Sequence, residues 1–300
     1  MRVSALLAVI IPAALSAQTL QDALRARIGD FQGTVTLYAK NLDTGAAAGI
    51  READPVRTAS TIKLPILCAV FDQVARGQAR WDERLTVTAS AKVSGSGVLG
   101  TEFSDGVQLP LSDVAHLMIV LSDNTATNMI LDRFTADAVN QYLDRIGIAT
   151  TRSLRKVRGD GAQLKAAEGW SAAGKLPENQ KYGIGVSTPR DMVVILERLN
   201  RGEIVSPEAS KEILAILKRC QDGTGVRRRL AGLTIANKTG ALDALRSEVA
   251  LVESPGGRIA MAITVDGMPK PDWTPDNPGL LLIADLARLI VNGLARPQPQ

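Results

Sequence analysis

Three short segments carry side chains able to attack, protonate or grip a carbonyl compound. In Arg57-Thr58-Ala59-Ser60-Thr61-Ile62-Lys63 a serine and a lysine stand three apart at the predicted start of a helix, where positions i and i+3 share a face. A serine hydroxyl is a poor nucleophile until a base removes its proton. A lysine walled by apolar groups and other cations can lose its own proton and act as that base. Leu64, Pro65 and Ile66 supply the wall. The Ser60 N–H, at the positive end of the helix, would steady an oxyanion. A Ser-x-x-Lys arises about once by chance in a chain of this size, so alone it describes a capped, solvated helix start equally well.

The second segment is Leu121-Ser122-Asp123-Asn124-Thr125, a predicted tight turn between two helices. A second hydroxyl there can relay a proton to a leaving nitrogen, and an amide can hold a substrate amide through donor and acceptor together. A plain helix cap is the competing reading. The third is Asn237-Lys238-Thr239-Gly240-Ala241, ending a predicted strand. Alternation puts Lys238 on the face opposite Leu233 and Ile235. Gly240 permits close backbone approach, so an extended substrate can pair along the strand edge while Lys238 and Thr239 hold a carboxylate.

The elements that must position these groups follow from periodicity. A helix with Leu20, Leu24 and Ile28 on one face precedes an alternating strand at Gly33 to Asn41, which turns at Asp43-Thr44-Gly45 into a second. From Ser60 to about Asn200 the pattern is helical. Strands return at Leu233 to Lys238, Val249 to Glu253 and Arg258 to Val265, and a last helix runs from about Leu280 to Leu294. This predicts an α/β (α+β) fold in which an antiparallel sheet from both chain ends, flanked by terminal helices, carries an inserted all-α region. A cleft belongs where the two parts meet. The α/β part is expected over about 18–59 and 201–300, and the all-α part over about 60–200. Gly159 to Gly185, rich in glycine, reads as a long loop, and such loops are usually functional.

Composition removes several chemistries. The chain has 300 residues, 45% of them hydrophobic and 22% charged, an ordinary globular balance. It has one histidine, His116, and two cysteines, Cys68 and Cys220, with no CxxC or HExxH spacing, so no zinc site can be assembled and no metal is expected. A Ser-His-Asp enzyme would need His116, which the helical pattern around Ala115 and Leu117 places in a packed helix instead. Met1 to Ala17 puts Arg2 before an apolar run from Val3 to Leu15, followed by small residues, and reads as a signal peptide; the run is too short to serve comfortably as a membrane anchor. Its removal takes one of the 35 basic residues, leaving 34 against 31 acidic. That weak excess gives no argument for nucleic acid binding, and the run Arg227 to Arg229 reads as a solvated helix end.

Taken together, Ser-x-x-Lys, Ser-Asp-Asn and Lys-Thr-Gly, in this order, form the signature set of the penicillin-recognising serine enzymes. The sequence resembles their class A β-lactamase branch over about residues 20 to 295, with Ser94-Gly95-Ser96-Gly97-Val98-Leu99 and Ser122 to Asn128 especially similar. The resemblance implies the two-part fold already read from periodicity. It also implies an acylated nucleophile at Ser60, a base at Lys63 and a proton relay at Ser122. Asn124 would contact the substrate amide, and Lys238 and Thr239 its carboxylate. The N–H groups of Ser60 and Ala241, beside Gly240, would form the oxyanion hole. Arg246 would add charge to the carboxylate pocket. The implied substrate is a small β-lactam or a D-Ala-D-Ala peptide, handled by an exported, periplasmic or secreted monomer with no cofactor and no membrane span once the signal segment is gone.

The match fails at one place. Class A enzymes carry a loop glutamate that activates the deacylating water, expected here near Val157, and the stretch Thr151 to Arg158 has none. Glu168 and Glu178, later in the loop, are the candidates to replace it. Three readings stay open: a β-lactamase with a substitute base, a D-Ala-D-Ala peptidase, and a penicillin-binding domain that remains acylated. Pairing of Cys68 with Cys220 is not fixed by the sequence; a small buried hydrophobe is the expected role of Cys68.

Overall fold

The computed structural model describes residues 13–295. Most of the predicted signal segment, residues 1–12, lies outside them. Helix α1 (Ala13–Ile28) leads into β1 (Thr34–Asn41) and β2 (Ala47–Ile50), then the short β3 (Val56–Arg57), a 3₁₀ turn at Ala59–Ile62 and α2 (Lys63–Ala75). Strands β4 (Arg84–Thr86) and β5 (Gln108–Pro110) precede α3 (Leu111–Val120), α4 (Asn124–Phe134) and α5 (Ala136–Arg145). The following loop contains β6 (Arg152–Ser153), α6 (Ala172–Lys175), α7 (Pro177–Gln180) and β7 (Gly185–Ser187). Helices α8 (Pro189–Arg201) and α9 (Pro207–Lys218) return the chain to β8 (Thr234–Leu242), β9 (Leu245–Ser254) and β10 (Gly257–Asp266), and α10 (Pro278–Leu294) closes it.

The main sheet has the order β2-β1-β10-β9-β8, all antiparallel, so the first and last parts of the chain meet at β1 and β10 as the alternation predicts. One face packs on α1 and α10: Leu20, Leu24, Leu37, Ile235, Ile263, Leu286 and Ile290 form a core there. Each such aliphatic side chain contributes about 2 kcal/mol by leaving water. The other face, with Ala236, Val249, Leu251, Ala260 and Ala262, joins a second core built from α2, α3, α4, α5, α8 and α9. Small residues on this face let the helices lie close. Helix α8 is covered by the sheet, and its Glu197 accepts from Lys40 of β1 at 2.8 Å. The inserted helices and the sheet therefore share one core. No described helix is long and apolar enough to cross a membrane.

Strands β4, β5, β6 and β7 fall inside the stretch from Ser60 to about Asn200 that the pattern reads as helices and loop, and β3 just before it is not read either. Two- and three-residue strands contain too little alternation to be read, and their pairing is set by distant partners such as Arg57 with Val186.

Two features aim this scaffold at the site. Strand β8 is an edge of the sheet, so one row of its backbone groups is unpaired within it. The chain also takes left-handed backbone at two non-glycine residues beside the predicted chemistry, Ala59 (φ 45°) and Ser122 (φ 54°). Such conformations cost about 1–3 kcal/mol each and persist where the surroundings enforce them.

Candidate active site

Ser60 lies in the 3₁₀ turn, and the Lys63 N–H donates to its carbonyl. In this tighter helix residues i and i+3 eclipse, which stacks Lys63 on Ser60 more closely than an α-turn would. Lys63 is fully buried. Its Nζ donates to the Ser122 carbonyl at 2.7 Å, to Ser122 Oγ at 3.3 Å and to Asn124 Oδ1 at 2.9 Å. Burial first, and then the charge of Lys238, push this ammonium well below its ordinary pKa, with Asp123 opposing. The neutral amine that a base requires is thereby favoured.

Lys238 is also fully buried and approaches Ser122 from β8. Its Nζ donates to Ser122 Oγ at 2.9 Å and to the Thr239 carbonyl at 2.7 Å. Burial lowers this lysine as well, while Cys220, Asp222 and Glu248 act to hold its proton. One hydroxyl thus sits between two lysines of depressed proton affinity, as a proton relay requires. Ser122 reaches that place because Asp123 anchors the turn. Asp123 Oδ1 caps α4 by accepting from the Ala126 N–H at 2.8 Å, and its Oδ2 accepts from the N–H groups of Val98 (2.6 Å) and Leu99 (2.9 Å). The helix-cap reading of this segment therefore holds at Asp123, while Ser122 and Asn124 on either side of it face Lys63.

Asn124 joins the cluster to the loop above it. Its Nδ2 donates to the Ser94 carbonyl at 3.1 Å, and Ser94 Oγ accepts from the Asp160 N–H at 2.8 Å. Gly240 explains the approach of β8 to Ser60. A Cβ there would stand 2.9 Å from the Ser60 nitrogen and 2.7 Å from the Thr58 carbonyl oxygen, both backbone atoms that cannot yield. The Ser60 N–H and the end of β8 that carries Ala241 are therefore brought side by side.

A profile of the β-lactamase enzyme family matches residues 18–294. The chain belongs to this family. Among solved structures of β-lactamase fold, that of a β-lactamase from Sphaerobacter thermophilus is similar at TM-score 0.78, with 27% identity over 94% of this chain and 99% of the other. PBP-A is similar at TM-score 0.75, with 30% identity over 91% of this chain and 95% of the other. A leucine-to-glutamate variant of PBP-A has been seen as an acyl-enzyme complex with penicillin G. The β-lactamase regulatory protein BlaB of Streptomyces cacaoi is 24% identical over 91% of this chain and 97% of its own length. Family and fold make the protein a β-lactamase-type hydrolase.

The loop side of this β-lactamase-family site is built differently. Asn128 holds residue 157 by its main chain: Nδ2 donates to the Val157 carbonyl at 3.0 Å, and Oδ1 accepts from the Val157 N–H at 2.8 Å. The side chain presented at that position is a valine's. Glu168 and Glu178 do not come to the cluster. The Glu168 side chain is 66% exposed and its carboxylate lies 3.9 Å from Lys156, whose Nζ is already 2.7 Å from Asp132. Glu178 is exposed in the first turn of α7. The loop directs both glutamates outward because Lys156 and the Asn128 clamp fix its inner edge.

Arg246 is buried, where an exposed arginine is the commoner case. It shares a register face with Ala241. Its guanidinium donates to the carbonyls of Leu242 (2.6 Å), Leu245 (2.7 Å) and Asp272, and lies 4.7 Å from the Trp273 ring centroid. The run Arg227 to Arg229 is not simply solvated: Arg227 donates to Asn237 Oδ1 at 2.8 Å, Arg228 pairs with Asp276 and Arg229 with Asp285. His116 stands in α3 with a buried, unpartnered Nε2, and both cysteines are buried free thiols.

Sequence reasoning missed the layer behind β8. Glu248 of β9 faces Thr239 in the register and is buried. It accepts from Asn237 Nδ2 at 2.6 Å and the Val226 N–H at 2.8 Å. Burial pushes its carboxyl up to about 7. Asn237 carried a signal, since alternation places it behind Lys238; Glu248 carried none beyond being a charge in an apolar strand.

Proposed function

We propose that the protein opens β-lactams through an acyl-enzyme on Ser60 and releases the acyl group slowly. The observation that carries this reading is the buried Lys63, depressed in proton affinity and bonded to Ser122 Oγ, one 3₁₀ turn from Ser60. Neutral Lys63 takes the Ser60 proton as Oγ attacks the lactam carbonyl. The N–H groups of Ser60 and Ala241 receive the oxyanion. The C–N bond then breaks, Ser122 gives its proton to the departing nitrogen, and Lys63 restores it. Lys238 and Thr239 hold the substrate carboxylate and Asn124 its side-chain amide.

Hydrolysis of the adduct needs a base on the water, and Val157 supplies none. Loss of such a base costs a factor of about 10² to 10⁴. A second reading, a D-Ala-D-Ala carboxypeptidase, is favoured by the same valine and by the 30% identity to PBP-A. A peptide acyl-enzyme sheds D-alanine and opens a path for water, whereas the amine of a β-lactam adduct stays tethered in the way. Export to the periplasm or medium is proposed from Met1 to Ala17.

Rapid mixing with nitrocefin is expected to give a burst of one equivalent followed by a slow steady state, with a penicillin adduct at Ser60 visible by mass. Fast multiple turnover without a burst would reject slow deacylation, and an adduct surviving Ser60→Ala would reject the nucleophile. Release of D-alanine from diacyl-D-Ala-D-Ala supports the second reading.

A further inference from the structure

The loop that carries Val157 leaves one carboxylate beside Asn124. Gly159 turns the chain through left-handed backbone (φ 79°), and a Cβ there would stand 2.7 Å from Ser94 Oγ, so a side chain would crowd the approach of the loop to Ser94. Ser94 Oγ then brackets the main chain of Asp160: it accepts from the Asp160 N–H at 2.8 Å and donates to the Asp160 carbonyl at 3.2 Å. The Asp160 side chain takes no part in this bracket. It is exposed, and its carboxylate has no hydrogen bond or ion pair among the described residues. Gly95 shows where that carboxylate lies. The Cβ position of Gly95 is 2.7 Å from Asn124 Nδ2 and 3.4 Å from Asp160 Oδ2, so the amide and the carboxylate flank the same small space. We propose that Asp160 is a specificity residue for the acyl side of the substrate, favouring β-lactams whose side-chain amide carries a cationic amine on its α-carbon. This inference rests on the acyl-enzyme reading above and names which members of that substrate class the site takes most readily.

The hydrogen bonds of Asn124 fix which end of a substrate amide it meets. Its Oδ1 accepts from Lys63 at 2.9 Å, and one proton of Nδ2 goes to the Ser94 carbonyl at 3.1 Å. An amide nitrogen has two protons to give, so the second is left for the carbonyl of the substrate amide. An α-ammonium is bonded to the carbon next to that carbonyl and therefore enters the space that Asp160 flanks. The cations of the loop are held elsewhere. Arg158 donates to the Lys165 carbonyl at 2.7 Å, Lys165 to the Ala89 carbonyl at 2.9 Å, and Lys156 to Asp132 at 2.7 Å. An ion pair at an exposed carboxylate contributes modestly and weakens with salt. It still discriminates, because a neutral side chain gains nothing from it.

The test compares second-order acylation of the full chain by ampicillin and by benzylpenicillin, which differ only in the α-amine. Both are read as adduct mass against time, at low ionic strength and at a pH where the amine is protonated. Asp160→Asn is expected to lower the ampicillin-to-benzylpenicillin ratio of these constants about threefold, by loss of one exposed ion pair. Asp160→Lys replaces attraction by repulsion and is expected to lower the ratio about tenfold. In the wild-type protein the ratio should fall towards that of Asp160→Asn as salt is raised. Because Ser94 holds main-chain atoms of residue 160, both variants keep the course of the loop. A ratio unchanged in both variants, whatever happens to the two constants separately, would overturn the selectivity role while leaving the acyl-enzyme intact. If neither compound labels the wild-type protein, the proposed function and this inference fall together.

Discussion

The two walls of the cleft differ in how they use charge. Along α2, the Ser122 turn and β8, two buried lysines converge on one hydroxyl and are held by several hydrogen bonds each. Along the loop from Thr151 to Gly185, acidic groups point to solvent or to Lys156, and the inner edge is fixed through main-chain atoms. In the proposed reaction the first wall attacks the carbonyl and protonates the leaving nitrogen. The other gives shape without a base. The proposed reaction thus assigns its two halves to separate regions, and one region can be complete while the other is not.

The contrast breaks most severely if the lysine wall is not responsible for attack. Lys63→Met is expected to slow acylation by about 10² to 10⁴ while leaving any deacylation step nearly as before; equal loss in both would deny the division. In the wild-type protein the acylation rate should fall as pH drops through the depressed pKa of Lys63, because protonation removes the base, and this acid limb should disappear in Lys63→Met. Pre-steady-state nitrocefin kinetics across pH measures both. Val157→Glu sharpens the comparison from the other side. It is expected to speed deacylation by about 10 to 100-fold with acylation little changed, read as loss of the adduct with time. Gly240→Ala forces apart the Ser60 and Thr58 backbones and β8, and should slow acylation about tenfold through misplacement of the oxyanion donors. The smallest effect belongs to Glu168→Gln and Glu178→Gln. Each should leave deacylation within about twofold of wild type, and a larger loss would show that one of them reaches the cleft.

The sheet built from both chain ends was legible because Val35, Leu37 and Ala39, and the later β9 and β10 runs, alternate over enough residues to set a face. Ser60, Lys63, Ser122, Asn124 and Lys238 were legible because local spacing puts them on fixed sides of short elements. What was not legible depends on contacts between distant segments. Nothing near Glu248 announces Asn237 and Val226, and nothing near Arg246 announces the carbonyl of Asp272 that it also holds. The positive φ of Ala59 and Ser122 was hidden for the same reason, since neither residue type favours it and only the assembled site enforces it.

The grip of Asn128 on the main chain of residue 157 has an evolutionary consequence. A clamp made to N–H and C=O is indifferent to the side chain it carries, so the loop keeps its course whichever residue is encoded there. Valine and glutamate codons can differ by a single nucleotide. From such a codon one point mutation would place a carboxylate on a backbone that is already held, and under the proposed reaction that one change would separate a protein that keeps its acyl group from one that discards it.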